Sequence, residues 1–144
     1  VNVARSELST LLYVSTMSPR TLISDVAVIA RTSRRRNQED RITGVLVFDG
    51  SSFAQLVEGP PDPIAALRAR LEQDTRHFDM DVLLHGRAGD ERRFAQWTLG
   101  YHFVGDDHDE LAALRGLRDA PALARFDALR ECIDSFAGVA TPAP

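Results

Sequence analysis

The chain is poor in several things at once. Its 144 residues include a single cysteine, Cys132, so no intrachain disulfide is available and a reducing compartment fits. It has no apolar run near the roughly 20 residues that a membrane-spanning helix requires. The opening "VNVARSELST" lacks the apolar stretch of a signal peptide. These absences lead to the expectation of a cytoplasmic protein that does not engage a membrane. There is no excess of positive charge either: 17 basic residues stand against 21 acidic ones, for a net charge of −4. That counts against a general nucleic-acid binder. The chain lacks a phosphate-cradling glycine loop of the P-loop or Rossmann type, a GxSxG motif and a Cys/His nucleophile pair. Four histidines (77, 85, 102 and 108) are scattered without metal-ligand spacing, apart from the weak pair His102 and His108 in a loop. Neither an enzyme nor a metal site is expected.

What is present reads as one soluble domain, with 44 % apolar and 26 % charged residues. "LSTLLYVS" (8–15) is apolar and β-favouring and reads as a strand. "MSPRT" follows, where Ser18 or Thr21 can cap a helix. Over 22–37, Leu22, Val26, Ile29, Ala30 and Ser33 recur at helical spacing and form one stripe. "RITGVLVF" (41–48) is a second strand, "DGS" a tight turn, and "GSSFAQLVEG" (50–59) the returning strand of a hairpin. "GPPDPIAALRARLEQD" opens a second helix, with Asp62 as its cap, Pro63 at its first position and Ile64, Leu67 and Leu71 as its core stripe. "MDVLLHG" (80–86) is a fourth strand, and "RFAQWTLGYHF" (93–103) contains a short connection and a fifth.

The order is βαββαβ plus one strand, which predicts an α+β, ferredoxin-like fold with two helices on one face of an antiparallel sheet. "LLYV" and "VLVF" are apolar on both faces, so the other face needs a cover too. Two C-terminal helices are expected to supply it: Leu111, Leu114 and Leu117 form one stripe, and Leu123, Phe126, Leu129, Ile133 and Phe136 another, with Cys132 in line with them as a core cysteine. The tail "GVATPAP" reads as disordered.

One residue breaks the core pattern. Alternation puts Phe53, Gln55 and Val57 on one face of their strand. A buried carboxamide without partners costs about 1–3 kcal/mol, so Gln55 reaches water, is satisfied structurally, or is held for a ligand. Taken singly, Gln55 reads as a structural hydrogen-bonder, Tyr13 as a core tyrosine and Asn37 as a helix C-cap. Taken together they say more. In a ferredoxin-like sheet the first and third strands are adjacent, so Tyr13 and Gln55 can be cross-strand neighbours beneath the first helix. Ile29, Ser33 and Asn37 are successive i,i+4 neighbours that carry polar groups along the core-facing line. A phenol, two carboxamides and a hydroxyl, ringed by Ile29, Phe53 and Leu71, suit a planar heterocycle with carbonyl and ring-nitrogen groups along an edge.

These residues resemble the BLUF family, blue-light sensors that use FAD. The resemblance covers roughly residues 8–104 and rests on "LLYVS", "ARTSRRRNQEDRITGVLVF", "FAQLVEGPPDPI", "DTRHFD" and "RRFAQWTLGY". It implies a flavin-binding domain over 8–104, a helical extension over 105–138 packed on the sheet, and a tail over 139–144. It implies non-covalent FAD, with FMN or riboflavin as substitutes, held between the helices by Ile29 and Leu71. Asn37 and Ser33 would hold the polar edge, with Phe53, Arg76 and His77 beside it. Arg34, Arg35 and Arg36 read most simply as a solvated helix end, with a contact from one of them to the FAD phosphates as the alternative. Tyr13 and Gln55 would be the photoactive pair. In the fifth strand the family commonly has Trp, one residue, then Met; here the run is Trp97-Thr98-Leu99, which puts that signal route in doubt. Output would pass to an unknown downstream protein or through a homo-oligomer, with no nucleic acid involved. Two rival readings remain: an RNA-binding module displaying Tyr13 and Phe53, and a flavin-free protein-interaction module of the same fold.

Overall fold

The computed structural model describes residues 7–95, 98–103, 110–121, 123–125, 127–128 and 130–131. Five strands form one sheet: β1 (Leu8–Met17), β2 (Thr43–Phe48), β3 (Ser52–Gly59), β4 (His77–Gly89) and β5 (Gly100–Phe103). Their order is β4-β1-β3-β2-β5. The pairs β1·β3, β1·β4 and β2·β3 are antiparallel, and β5 joins the edge of β2 in parallel. The helices α1 (Ile23–Asp40) and α2 (Pro61–Gln73) cross one face, and α3 (Glu110–Arg115) lies on the other. The fold is the α+β, ferredoxin-like arrangement with the fifth strand added.

Strand alternation explains why both faces are dry. On the face under α1 and α2, Leu11, Tyr13 and Val57 pack with Ile64 and Leu67. On the opposite face, Leu12, Val14, Ala54 and Leu56 meet Leu111 and Leu114 of α3. Tyr13 and Phe53 are therefore buried beneath helices. That removes the open stacking platform on which the RNA-binding reading depended. Among the described residues no helix is long and apolar enough to cross a membrane.

Several boundaries differ from the expectation for identifiable reasons. Neither Ser18 nor Thr21 caps α1; their hydroxyls donate to the carbonyls of Thr75 and Arg76, fastening this turn to the start of β4. Leu22 occupies the cap position, and the Asp25 carboxylate accepts its N–H. Leu22 overhangs the sheet and is 63 % exposed, so it does not belong to the core stripe. The helix runs past Asn37 and stops at Arg41, which adopts the left-handed region with φ 58°. Pro60 and Pro61, not Asp62 and Pro63, form the start of α2. β4 reaches from 77 to 89, and β5 keeps only four residues. Leu123 is 71 % exposed, and among the described residues of that stretch Ala128 packs against the core. Phe126, Leu129, Cys132, Ile133, Phe136 and the tail lie outside the described residues.

The segment before β5 is pinned at its start. Glu58, on the α3 side of β3, accepts the backbone N–H of Arg93 at 2.7 Å and of Phe94 at 3.4 Å. Burial pushes the Glu58 carboxyl above its ordinary value, and those two backbone bonds oppose the shift. Arg92 donates to the carbonyls of Arg41 and Glu58 and to the Thr43 hydroxyl.

Candidate functional site

Register pairs Tyr13 of β1 directly with Gln55 of β3. The Tyr13 hydroxyl donates to Gln55 Oε1 at 2.7 Å. The two residues are only 3 % and 5 % exposed. Oε1 is thus engaged by the phenol, and the Nε2 donor is left for whatever occupies the space above. Burial, reinforced by the negative charge of Asp74, pushes the phenol well above its ordinary value. Tyr13 is therefore a neutral hydrogen-bond donor at physiological pH.

That space is a cleft between α1 and α2. Its inner compartment, about 420 Å³ with its open mouth, has apolar walls from Ile29, Leu46, Phe53 and Leu71, and polar groups from Tyr13, Ser33, Gln55 and His77. An outer compartment of about 590 Å³ shares Ser33, Gln55 and Leu71 and adds Arg36, Asn37 and Arg70. Asp74 and Arg76 border both. The mixture of apolar walls with a few converging polar groups is that of a small-molecule site.

The polar residues are held by their own partners. Leu71 carbonyl can only accept, so His77 donates from Nε2 to it, at 2.6 Å. The other ring nitrogen lies 2.7 Å from Ser15 Oγ, which fixes the imidazole between α2 and β1. The His77 and Tyr13 rings are 6.0 Å apart and tilted by 57°. Arg76 donates to Asp74 from Nε at 2.9 Å and Nη2 at 2.6 Å. That hydrogen bonding holds the Asp74 carboxyl below its usual range, against the opposing effect of burial. Asn37 is buried inside α1 and donates from Nδ2 to the Thr98 carbonyl at 3.0 Å, so its side chain is not a C-cap. Arg70 sits 3.9 Å from Asp40. Its Nη2 is buried without a hydrogen-bond partner among the described residues. Burial lowers the Arg70 pKa, the charge of Arg36 lowers it further, and Asp40 opposes.

The structure thus gathers Tyr13, Ile29, Ser33, Phe53, Gln55, Leu71, Arg76 and His77 around the inner compartment and Asn37 around the outer one. Leu99 does not line the cleft; it is buried behind it with Val26, Leu46 and Phe53. Trp97 lies outside the described residues. Leu46, Arg70 and Asp74 were not anticipated. Alternation along β2 identifies Leu46, which pairs with Gln55; nothing local marks the other two.

The family model described as BLUF, sensors of blue light using FAD, matches residues 8–100, well over half of the chain. The chain belongs to the BLUF family. A photoactivated adenylate cyclase subunit beta from Euglena longa is 39 % identical over 95 residues, 65 % of this chain and 11 % of that protein. The blue light- and temperature-regulated antirepressor BluF of Escherichia coli (strain K12) is 34 % identical over 77 residues, 54 % of this chain and 19 % of that one. This BLUF chain therefore spans only a small part of these curated relatives. The dark-state structure of BlrB, a BLUF protein, superposes with a TM-score of 0.70 at 29 % identity, covering 91 % of this chain and 98 % of that one. BlsA in its photo-activated state has the same fold, with a TM-score of 0.70 at 20 % identity over 95 % of this chain and 99 % of that one. The family is a sensor family, and its cofactor is a flavin.

Proposed function

We propose that this BLUF domain is a blue-light switch whose responsive element is the Tyr13–Gln55 pair. The observation that carries the reading is the buried 2.7 Å hydrogen bond from the phenol to Gln55 Oε1, set at the floor of the cleft. Ile29 and Leu71 would hold the ring between the helices, Phe53 would pack against it, and Ser33 and Asn37 would meet its polar edge. His77 and the Arg76–Asp74 pair would lie beside it.

A bound flavin would supply the absorber of blue light and the acceptor of one electron and one proton. Tyr13 supplies both. The electron leaves first and the proton follows, along the bond to Gln55 Oε1. Gln55 relays the proton, accepting at Oε1 and releasing from Nε2. When electron and proton return to Tyr13, the Gln55 carboxamide is left rotated, tautomerised or both. Rotation by half a turn reverses the bond: Nε2 then donates to the phenol oxygen. No substrate bond is made or broken, and the pair relaxes in the dark.

FAD is the cofactor we assign, with FMN or riboflavin able to substitute. Arg36 and Arg70 on the outer compartment bring two like charges to a place where Arg70 Nη2 has no hydrogen-bond partner among the described residues. Phosphate oxygens suit that arrangement. Output runs to a downstream protein or through a homo-oligomer. The names of the relatives, a cyclase subunit and an antirepressor, support an output delivered through another protein module.

Titration of the flavin-free protein tests the assignment. FAD and FMN should bind more tightly than riboflavin. The advantage should shrink as salt is raised from about 0.05 to 0.5 M, because partly exposed charges are screened. Equal, salt-independent affinities contradict the phosphate role of Arg36 and Arg70; failure of all three flavins to bind contradicts the flavin switch itself.

A further inference from the structure

The arginine run at 34–36 divides in the structure. Arg35 is exposed, Arg36 lines the outer compartment, and Arg34 donates from Nε to the Leu99 carbonyl at 2.9 Å. One helical turn further along, Asn37 donates from Nδ2 to the Thr98 carbonyl at 3.0 Å. Residues three apart lie on the same side of a helix. Two side chains of α1 therefore grip two successive carbonyls, 65 and 61 residues away in sequence.

Those carbonyls immediately precede Gly100, where β5 begins. β5 is an edge strand of four residues, and within the sheet its neighbour is β2 alone. Its first pairing is Val45 with Gly100. The start of β5 is thus held from one side by the sheet and from the other by α1. The two donors differ in what else they face. Asn37 borders the cleft and Arg34 does not. An amide that turns toward a cleft ligand must release or strain its bond to Thr98. Arg34 meanwhile keeps Leu99 in place through its bond to the Leu99 carbonyl.

We infer that Arg34 is a positioning residue. With Asn37 it forms a clamp that passes the state of the cleft to the start of β5. The inference rests on the flavin-switch reading above. Apolar contact alone does not replace the clamp: the Leu99 side chain touches a cluster that includes Leu46 and Phe53, but such packing has no preferred direction.

Amide hydrogen exchange over residues 98–103 tests this in the flavin-loaded protein. It is measured in darkness and under blue light for the wild type, Arg34→Met and Arg34→Lys, with the absorption spectrum taken on the same samples. Methionine keeps the apolar stem and removes the donors; lysine restores a cationic donor. The spectrum and its light-induced shift should be unchanged in all three. The wild type should exchange differently in light and dark. Arg34→Met should exchange faster in the dark by about tenfold, as expected for loss of one charge-assisted hydrogen bond, and should lose the light–dark difference. Arg34→Lys should recover it. A normal light-induced shift with the full exchange difference retained in Arg34→Met overturns the clamp alone. A wild type whose spectrum does not respond to light overturns the switch and the clamp together.

Discussion

Tyr13→Phe protein should purify yellow and give no light-induced spectral change. Phenylalanine keeps the ring that fills the core beside Leu11 and Val57, so the cleft retains its shape. What disappears is the hydroxyl that donates to Gln55 Oε1. The fold bears a modest cost, about 1–3 kcal/mol for a buried acceptor left unpaired. The photochemistry is lost entirely, because phenylalanine has no phenolic proton to pass to Gln55. The measurement is a light-minus-dark absorption spectrum of the flavin-loaded variant beside the wild type. A Tyr13→Phe variant with the wild-type shift contradicts the assignment of Tyr13, whatever else in the cleft holds.

Gly44→Ala should be the most damaging small substitution in the sheet. Gly44 of β2 pairs with Val57 of β3. A Cβ there overlaps the Leu56 carbonyl oxygen and comes within 2.8 Å of Val57 Cα. Those atoms are backbone, and β3 is hydrogen-bonded to β1 on its other side, so nothing flexible can yield. Overpacking of this kind costs about 3 kcal/mol or more. For a chain of this size that lowers Tm by roughly 10 °C. Because Gln55 lies two residues from Val57 on the same face, flavin affinity should fall with stability. Gly86→Ala is the matched control, since a Cβ at Gly86 meets nothing within 4 Å. Thermal melts of the two variants check the contrast. Equal Tm values for Gly44→Ala and wild type contradict the close approach.

The floor of the site was legible in the sequence because strand alternation is a strict rule. Once Phe53, Gln55 and Val57 share a face and the first and third strands are adjacent, Tyr13 has to meet Gln55. The line Ile29, Ser33, Asn37 was legible for the same kind of reason, helical spacing. The partners of that line were not. Asn37 and Arg34 bond to backbone carbonyls of Thr98 and Leu99, and a carbonyl carries no sequence signature. Asp74 and Arg70 look like solvated groups at the end of a helix until the packing of α2 turns them toward the cleft. Leu22 and Leu123 mislead in the opposite sense. Both continue an apolar stripe, and both project beyond the core that the stripe serves. The helix caps were missed because Asp25 and Arg41 do the work that Ser18, Thr21 and Asn37 were expected to do.

The central claim is that light changes the hydrogen bonding of Gln55 beside a bound flavin. The most direct measurement is the absorption spectrum of the FAD-loaded protein in darkness, after blue illumination, and during the return to darkness. The account predicts a structured oxidised-flavin spectrum that shifts slightly to the red and recovers fully without added reagents. A bound flavin whose spectrum is the same before and after illumination contradicts it.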